Sequence, residues 1–229
     1  MNKRFTIILA MASALTMTAF AADQEAKVND RLEASVDTLK EMMHAADKGI
    51  PQDLLDKARC VVVIPGMKKA GFILGAKYGS GFAACRKSGG GWTAPAAMRV
   101  EGGSVGFQIG ASETDVILLV MNESGMRHLL EDKFTLGGNA SVAAGPVGRT
   151  AQAETDAAMH AEMLAYSRAR GLFAGISLEG ATLRGDQDAD RELYGHDIHN
   201  REILSGSVTT PAAAAAFEHA LNRESPARQ

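Results

Sequence analysis

Apolar residues recur at steps of three and four along the first part of the chain, a spacing that places them on one face of a helix. The stripe comprises Val28, Leu32, Val36, Leu39, Met43 and Ala46. It predicts a helix over residues 23–48, with Gly49 as its C-terminal cap. The next segment, IPQDLLDKAR, predicts a short second helix, because Pro51 lies at a helix start where a missing N–H costs little.

The pattern changes to short β-branched or alternating runs from Cys60 onward. We expect strands in CVVVIP, AGFILGAKYGSGFAACRK, GWTAPAAMRVEGG, SVGFQIGAS and DVILLVM, with turns at residues 89–91 and 102–103. Connections this short favour antiparallel meanders over crossovers. Many glycines fall inside the strands, where a missing side chain lets another backbone approach closely. The sequence therefore predicts a glycine-rich, strongly curved antiparallel sheet.

The C-terminal part adds short helices and a further strand. NESGMRHLLEDKF and DQDADRELYG predict brief helices, the second ending at Gly195, and TTPAAAAAFEHALNR predicts a terminal helix capped by Thr210. Residues 172–178 alternate and predict a strand with one face flattened by Gly175. Residues 151–168 suit both helix and strand, so their pattern leaves the choice open. The predicted fold class is α+β, with helices at both ends of the chain.

The first residues are typical of a secretory signal peptide, which we expect to span residues 1–21. Lys3 and Arg4 precede the apolar run FTIILAMASALTMTAF, and small residues lie before the expected cleavage site. A membrane-spanning helix is the alternative, but the run is short and lacks a stop-transfer flank. Removing Lys3 and Arg4 from the 24 basic residues leaves 22 against 27 acidic ones, a net charge of −5. We expect an exported, periplasmic protein with peripheral membrane association.

Cys60 and Cys85 are the two cysteines of the chain. An even pair in an oxidising compartment favours a disulfide, whereas in a reducing compartment the same pair would be two buried thiols. Their spacing matches no zinc motif. We expect a Cys60–Cys85 disulfide.

No acidic residue lies between Asp56 and Glu101, although the protein is acidic as a whole. A basic surface gains on the order of 1 kcal/mol per Lys or Arg beside an anionic membrane. The segment also contains Trp92, a candidate interfacial aromatic residue. The alternative is that these charges pair with acids elsewhere, for instance on the N-terminal helix. The basic residues of the segment are Lys57, Arg59, Lys68, Lys69, Lys77, Arg86, Lys87 and Arg99, of which the last six are the predicted lipid-binding residues.

Five blocks of the sequence occur in order with short connections: CVVVIPGMKKAGFILGAKYGSGFAACRK, GWTAPAAMRV, GGSVGFQIGA, NASVAAGPVGR and YSRARGLFAGISLEGA. Together they resemble the SYLF domain family over residues 32–206, in an exported form of bacterial type. The resemblance implies an α+β fold without enzymatic activity and a preference for anionic, phosphoinositide-type lipids. In a yeast member it also implies actin binding. It favours strand over helix for residues 151–168.

Eukaryotic relatives engage the membrane with an N-terminal amphipathic helix, as the resemblance implies. Residues 22–48 of this chain carry seven acidic and four basic residues, the wrong sign for an anionic bilayer. We therefore expect a helical segment at residues 22–58 that packs on the domain. The β-rich lipid-binding domain is expected at residues 59–206 and the C-terminal helix at residues 207–229.

Two motifs suggest other kinds of site. Ser104 lies in a G-x-S-x-G pattern, followed by Asp115 and His196 in hydrolase order, but a nucleophile elbow needs a strand-to-helix turn and FQIGAS continues as strand. His196 and His199 flank Asp197 without an evident third metal ligand.

We expect no catalytic residue, metal or cofactor, and a Ser104 hydrolase remains the catalytic alternative. The expected partner is an anionic phospholipid or membrane surface. Net negative charge and few aromatic residues argue against nucleic acid. Export argues against actin, and a scaffold for other proteins is the third possibility.

Overall fold

Two layers of helices enclose one curved sheet in the computed structural model of this chain. The structure describes residues 25–45, 49–146, 160–169, 172–173 and 178–226, with the backbone alone at residues 71–74, 104–111 and 172. The expected signal peptide, residues 151–159 and Gly175 lie outside the described residues.

The elements follow one another along the chain as six helices and seven strands within the described residues. The helices are α1 (25–43), α2 (Gln52–Lys57), α3 (Glu123–Leu129), α4 (Gln187–Tyr194), α5 (Asn200–Leu204) and α6 (Ala215–Glu224), the last preceded by a 3₁₀ turn at Ala212–Ala214. The strands are β1 (Cys60–Cys85), β2 (Ala96–Val120), β3 (Lys133–Thr135), β4 (Val142–Ala144), β5 (Met163–Ala169), β6 (Leu172–Phe173) and β7 (Thr182–Gly185).

Helix α1 buries the apolar stripe that predicted it, including Val28, Leu32 and Leu39. It ends at residue 43 rather than at the predicted residue 48, and Gly49 therefore does not follow its last turn. The chain leaves the helix early because Ile50 is buried in the core, where its N–H donates to the Met42 carbonyl at 3.1 Å.

Strands β1 and β2 form one long antiparallel ribbon, paired from Cys60 opposite Val120 to Ala83 opposite Ala96. We call this the β1–β2 ribbon. The prediction of several short strands with a turn at residues 102–103 was wrong, since β1 runs for 26 residues and β2 for 25. Register shifts after Ile64 and after Gly71 mark irregularities in the pairing. The predicted turn at residues 89–91 is present, with positive φ at Gly90 and Gly91.

The ribbon curls back so far that the two ends of β1 meet. A straight strand of this length would span about 85 Å, yet the Cα atoms of Cys60 and Cys85 are 3.9 Å apart and their side chains form the expected disulfide. Gly81 lies directly against the Val63 carbonyl, where an added Cβ would be 1.8 Å from the oxygen. The curl therefore depends on backbone contact that only glycine permits at this position.

The remaining strands extend the sheet from β2. Strand β5 pairs with the end of β2 and β7 with its beginning, while β3 adds to β7 and β6 to β5, all antiparallel. Strand β4 pairs parallel to β5, so the expected antiparallel sheet contains one parallel pair. The α+β class and the strongly curved sheet are confirmed. Residues 163–169 are strand, as the resemblance favoured.

Both faces of the sheet are buried near the ends of β1 and β2, because successive side chains of a strand point to opposite sides. Val62 and Leu118 belong to a core that includes Leu129 of α3 and Ile203 of α5. Their neighbours on the same strands belong to the second core, which also contains residues of α1, α2 and α6 (Val61, Leu119, Leu39, Leu55 and Phe217).

Candidate functional site

The basic residues of the acid-free segment, residues 57–100, differ in the partners that they contact. Four of its eight basic residues form ion pairs: Lys57 with Asp53 at 3.2 Å, Arg59 with Glu123 at 3.1 Å, Lys87 with Glu218 at 3.3 Å and Arg99 with Asp186 at 2.6 Å. For these four residues, the alternative that the basic side chains pair with acidic residues elsewhere in the chain is correct. The partners lie on or beside α2, α3, α6 and α4 rather than on the N-terminal helix.

Arg86, directly after β1, contacts the end of the C-terminal helix α6. Its guanidinium donates to the Ser225 carbonyl at 2.8 Å and lies 4.0 Å from the centre of the Trp92 ring. Trp92 Nε1 donates to the same carbonyl at 3.1 Å, and the Ser225 hydroxyl donates to Asp56. Arg86 and Lys87 therefore make their contacts within the fold.

Trp92 is fully buried, so its prediction as an interfacial aromatic residue was wrong. The exposed large aromatic side chain among the described residues is Tyr78, 48% exposed, immediately after Lys77. Its hydroxyl accepts from Ser80 Oγ at 3.2 Å, and the Arg99 guanidinium lies 6.0 Å from its ring. Arg99 forms an ion pair with Asp186, so its charge beside Tyr78 is neutralised.

Three further basic residues lie on β1 within the β1–β2 ribbon: Lys68, Lys69 and Lys77, which we call the ribbon lysines. Lys68 is exposed and Lys69 half-exposed, and neither forms an ion pair with any residue that the structure describes. Lys77 is buried, with 7% of its surface exposed. Burial, and secondly the positive charge of Lys69, lower the pKa of Lys77. Residues eight apart in sequence are thus electrostatic neighbours because the ribbon curls.

A groove of about 1100 Å³ runs between α1 and the ribbon beside Lys68 and Lys69. Arg168 reaches it from β5 and pairs with Glu41 of α1. Asp115 accepts a hydrogen bond from the Gly66 N–H at 2.8 Å at the same place. Lys68 and Lys69 line this groove together with Arg168 and four acidic residues, so the groove is mixed in charge, and Lys68 is directly opposite Glu113 of β2. The acidic residues are Asp37, Glu41, Glu113 and Asp115.

Ser104 lies within uninterrupted strand β2, opposite Gly75, and no helix follows it. That setting lacks the strand-to-helix turn of a nucleophile elbow. His196 Nδ1 lies 2.9 Å from the Tyr194 carbonyl, and His199 Nδ1 lies 3.3 Å from Gln187 Nε2. The described part of the chain holds no group of three His, Cys, Asp or Glu side chains placed for a metal ion. Within that part, no helix has the length and apolar character needed to cross a membrane.

Known proteins are similar in sequence to this chain over about three quarters of its length. Residues 101–224 match the model of the Ysc84 family, described as Las17-binding protein actin regulator. An SH3 domain-containing protein of Schizosaccharomyces pombe is 41% identical over 77% of this chain and 42% of its own length. The protein YSC84 of Saccharomyces cerevisiae is 38% identical over 74% of this chain and 36% of its own length.

A YSC84-like protein of Xenopus laevis, also named as SH3 domain-containing, is 39% identical over 73% of this chain and 50% of its own length. The chain thus spans half or less of the length of these three relatives. Two of these relatives are named for an SH3 domain, and the family description names Las17 binding and actin regulation. The family match runs from Glu101 within β2 to the end of α6, and the relatives match about three quarters of the chain, so the chain belongs to the Ysc84 family of SYLF domains.

Proposed function

We propose that this protein binds anionic phospholipid surfaces without catalysing a reaction, and that Lys68 and Lys69 form the contact. The observation that carries the proposal is the pair Lys68 and Lys69, which lie on the protein surface without an ion pair among the described residues. A headgroup phosphate would supply the counter-charge and relieve the repulsion that Lys69 exerts on Lys77. Export through the expected signal peptide would bring this surface to a periplasmic membrane.

This proposal narrows the predicted lipid-binding surface from six residues to two, since Lys77 is buried. Lys87 and Arg99 are neutralised by Glu218 and Asp186, and Arg86 is held against Ser225. Surface attraction also falls with salt, because mobile ions screen charges beyond about 10 Å at 0.1 M. Binding through exposed lysines should therefore be strongest at low ionic strength.

The test compares vesicle binding by two double variants that change net charge equally. Lys68→Glu/Lys69→Glu should weaken co-sedimentation with vesicles of phosphatidylcholine and phosphatidylglycerol at least about 30-fold, since each lysine contributes about 1 kcal/mol. The control is Arg127→Glu/Arg201→Glu, on the exposed sides of α3 and α5. Its affinity for the vesicles should stay close to that of the wild type. Equal losses in both variants would mean that net charge, not the ribbon, governs binding.

A second candidate function is a scaffold for protein partners. It is favoured by the family description, which names relatives as Las17-binding. The groove between α1 and the ribbon offers both signs of charge to a peptide, from Glu41, Lys69, Asp115 and Arg168. Absence of any vesicle binding by the wild type, at low salt, would favour this candidate.

A further inference from the structure

The ribbon lysines border a stretch of the β1–β2 ribbon that has no charged residue on either strand. On β1 it covers residues 70–76, AGFILGA, and on β2 it covers residues 102–112, GGSVGFQIGAS. In a chain with 22% charged residues, 18 positions would carry about four charges at the average frequency. We call this uncharged stretch the ribbon bend.

The register of the two strands concentrates apolar residues within the bend. Gly71 is opposite Gly110, but Ile73 is opposite Gly106, so Phe72 alone faces the three residues 107–109. Those three are Phe, Gln and Ile. An irregularity of this kind bends a strand and changes its twist. It places Phe72, Ile73, Phe107 and Ile109 in one short region of backbone.

Four of the six bend positions whose exposure the structure describes are exposed, two on each strand. Ala70 and Ala76 are exposed where β1 enters and leaves it, and Gly103 and Ser112 are exposed on β2. A Cβ added to Gly103 would meet no atom within 4 Å. At these four positions the bend is not covered by another described element, whereas Gly102 beside them packs against Ala181.

We propose that the ribbon bend enters the acyl layer of an anionic bilayer while the ribbon lysines and Tyr78 lie at the level of the headgroups. This inference rests on the proposed function and adds the mode of contact. Lysines with long aliphatic stems and tyrosine are the residues that occupy the boundary between hydrocarbon and water. Pairing between the two strands satisfies only the facing backbone groups of the ribbon, so we expect the bend to enter only the outer part of the acyl layer.

The experiment uses a fluorophore attached to a single introduced cysteine, because the two native cysteines are joined in a disulfide. Gln108→Cys places an environment-sensitive nitrobenzoxadiazole label in the bend, and Glu131→Cys places it at an exposed position after α3. With vesicles of phosphatidylcholine and phosphatidylglycerol in equal parts, the label at position 108 should shift to the blue. Phosphatidylcholine brominated on its acyl chains should quench that label several-fold more strongly than the label at position 131.

A second pair of variants, made in the Gln108→Cys protein, tests the apolar character of the bend. Ile109→Asp should abolish the blue shift and make binding at least tenfold weaker in high salt, whereas Ile109→Leu should retain both. A urea midpoint equal to that of the parent protein shows that the aspartate variant is folded.

The outcomes separate this inference from the proposed function. Vesicle binding without a blue shift at position 108, or with equal quenching at both positions, overturns insertion and leaves surface binding intact. Loss of binding in Lys68→Glu/Lys69→Glu together with an unchanged shift in Ile109→Asp also overturns insertion by the bend. No binding of the wild type to any vesicle overturns both.

Discussion

At the scale of single residues, Gly81 is the position on which the curl of the ribbon most directly depends. Gly81→Ala would place a methyl group 1.8 Å from the Val63 carbonyl oxygen, a backbone atom that cannot rotate away. We expect a loss at or above the upper end of the roughly 1–3 kcal/mol typical of overpacking. Urea unfolding monitored by circular dichroism measures this change as a shift of the midpoint.

Gly103→Ala is the matched control, since it makes the same substitution in the same ribbon at an open position. Its free energy of unfolding should stay within about 0.5 kcal/mol of the wild type. Similar losses in the two variants would show that glycine acts through strand flexibility rather than through the contact with Val63.

The sequence revealed which residue types carry charge in the acid-free segment but not which of them were already paired. Lys87 and Glu218 are far apart along the chain, as are Arg99 and Asp186, and no local pattern connects them. The sequence could have indicated Tyr78 as the exposed aromatic residue, because it follows Lys77 directly in a glycine-rich strand. The cysteines were predictable from count and compartment alone, and they do form the disulfide.

At the scale of elements, the C-terminal helix α6 is held on the sheet through Arg86. Arg86→Gln removes the guanidinium that bonds to the Ser225 carbonyl and covers Trp92. Hydrogen bonds to charged groups contribute about 1.5–3 kcal/mol each. We therefore expect a loss of about 2 kcal/mol or more in urea unfolding, with unchanged affinity for anionic vesicles.

Lys87→Gln serves as the neighbouring control, because its partner Glu218 is in a partly exposed ion pair of about 1 kcal/mol or less. If folded Arg86→Gln protein binds anionic vesicles more weakly while Lys87→Gln binds them as the wild type does, Arg86 takes part in lipid binding after all.

Element types were predicted better than element lengths. Helices α3 and α4 follow their segments, and α4 ends at the predicted Gly195, whose φ is 75°. The ribbon strands were predicted as separate pieces because glycine pairs usually mark turns. In the fold Gly102 instead lies against Ala181, with an added Cβ only 2.9 Å from the Ala181 Cα. Whether a glycine turns the chain or admits a neighbour depends on tertiary contacts that no short window contains.

At the scale of the whole molecule, two carboxyl groups at the start of α4 connect distant parts of the chain. Asp186 accepts from Arg31 of α1 at 3.1 Å and from Arg99 of β2 at 2.6 Å. Asp190, one turn later, is fully buried, and its Oδ1 accepts from the Ala97 N–H at 2.7 Å. No described residue is a hydrogen-bond partner of its Oδ2.

Burial raises the pKa of Asp190 from 3.8 to about 7; the bond from Ala97 opposes this rise and the Asp186 charge adds to it. Between about pH 4 and 7 the folded protein therefore holds a proton that the unfolded chain has released. The contribution of Asp190 to stability must fall as pH rises through this window and stay low above it. Asp190→Asn keeps the acceptor for Ala97 and cannot ionise.

We expect Asp190→Asn to gain stability relative to the wild type as pH rises from 4 to 8, on the order of 3 kcal/mol in total. Urea unfolding at a series of pH values measures that difference. Asp188→Asn, on the exposed side of the same helix, should keep the pH dependence of the wild type. If Asp190→Asn keeps it as well, Asp190 is already ionised in the folded protein near pH 5. The two arginines would then neutralise both carboxylates, and the junction of α1, β2 and α4 would hold equally well on either side of neutral pH.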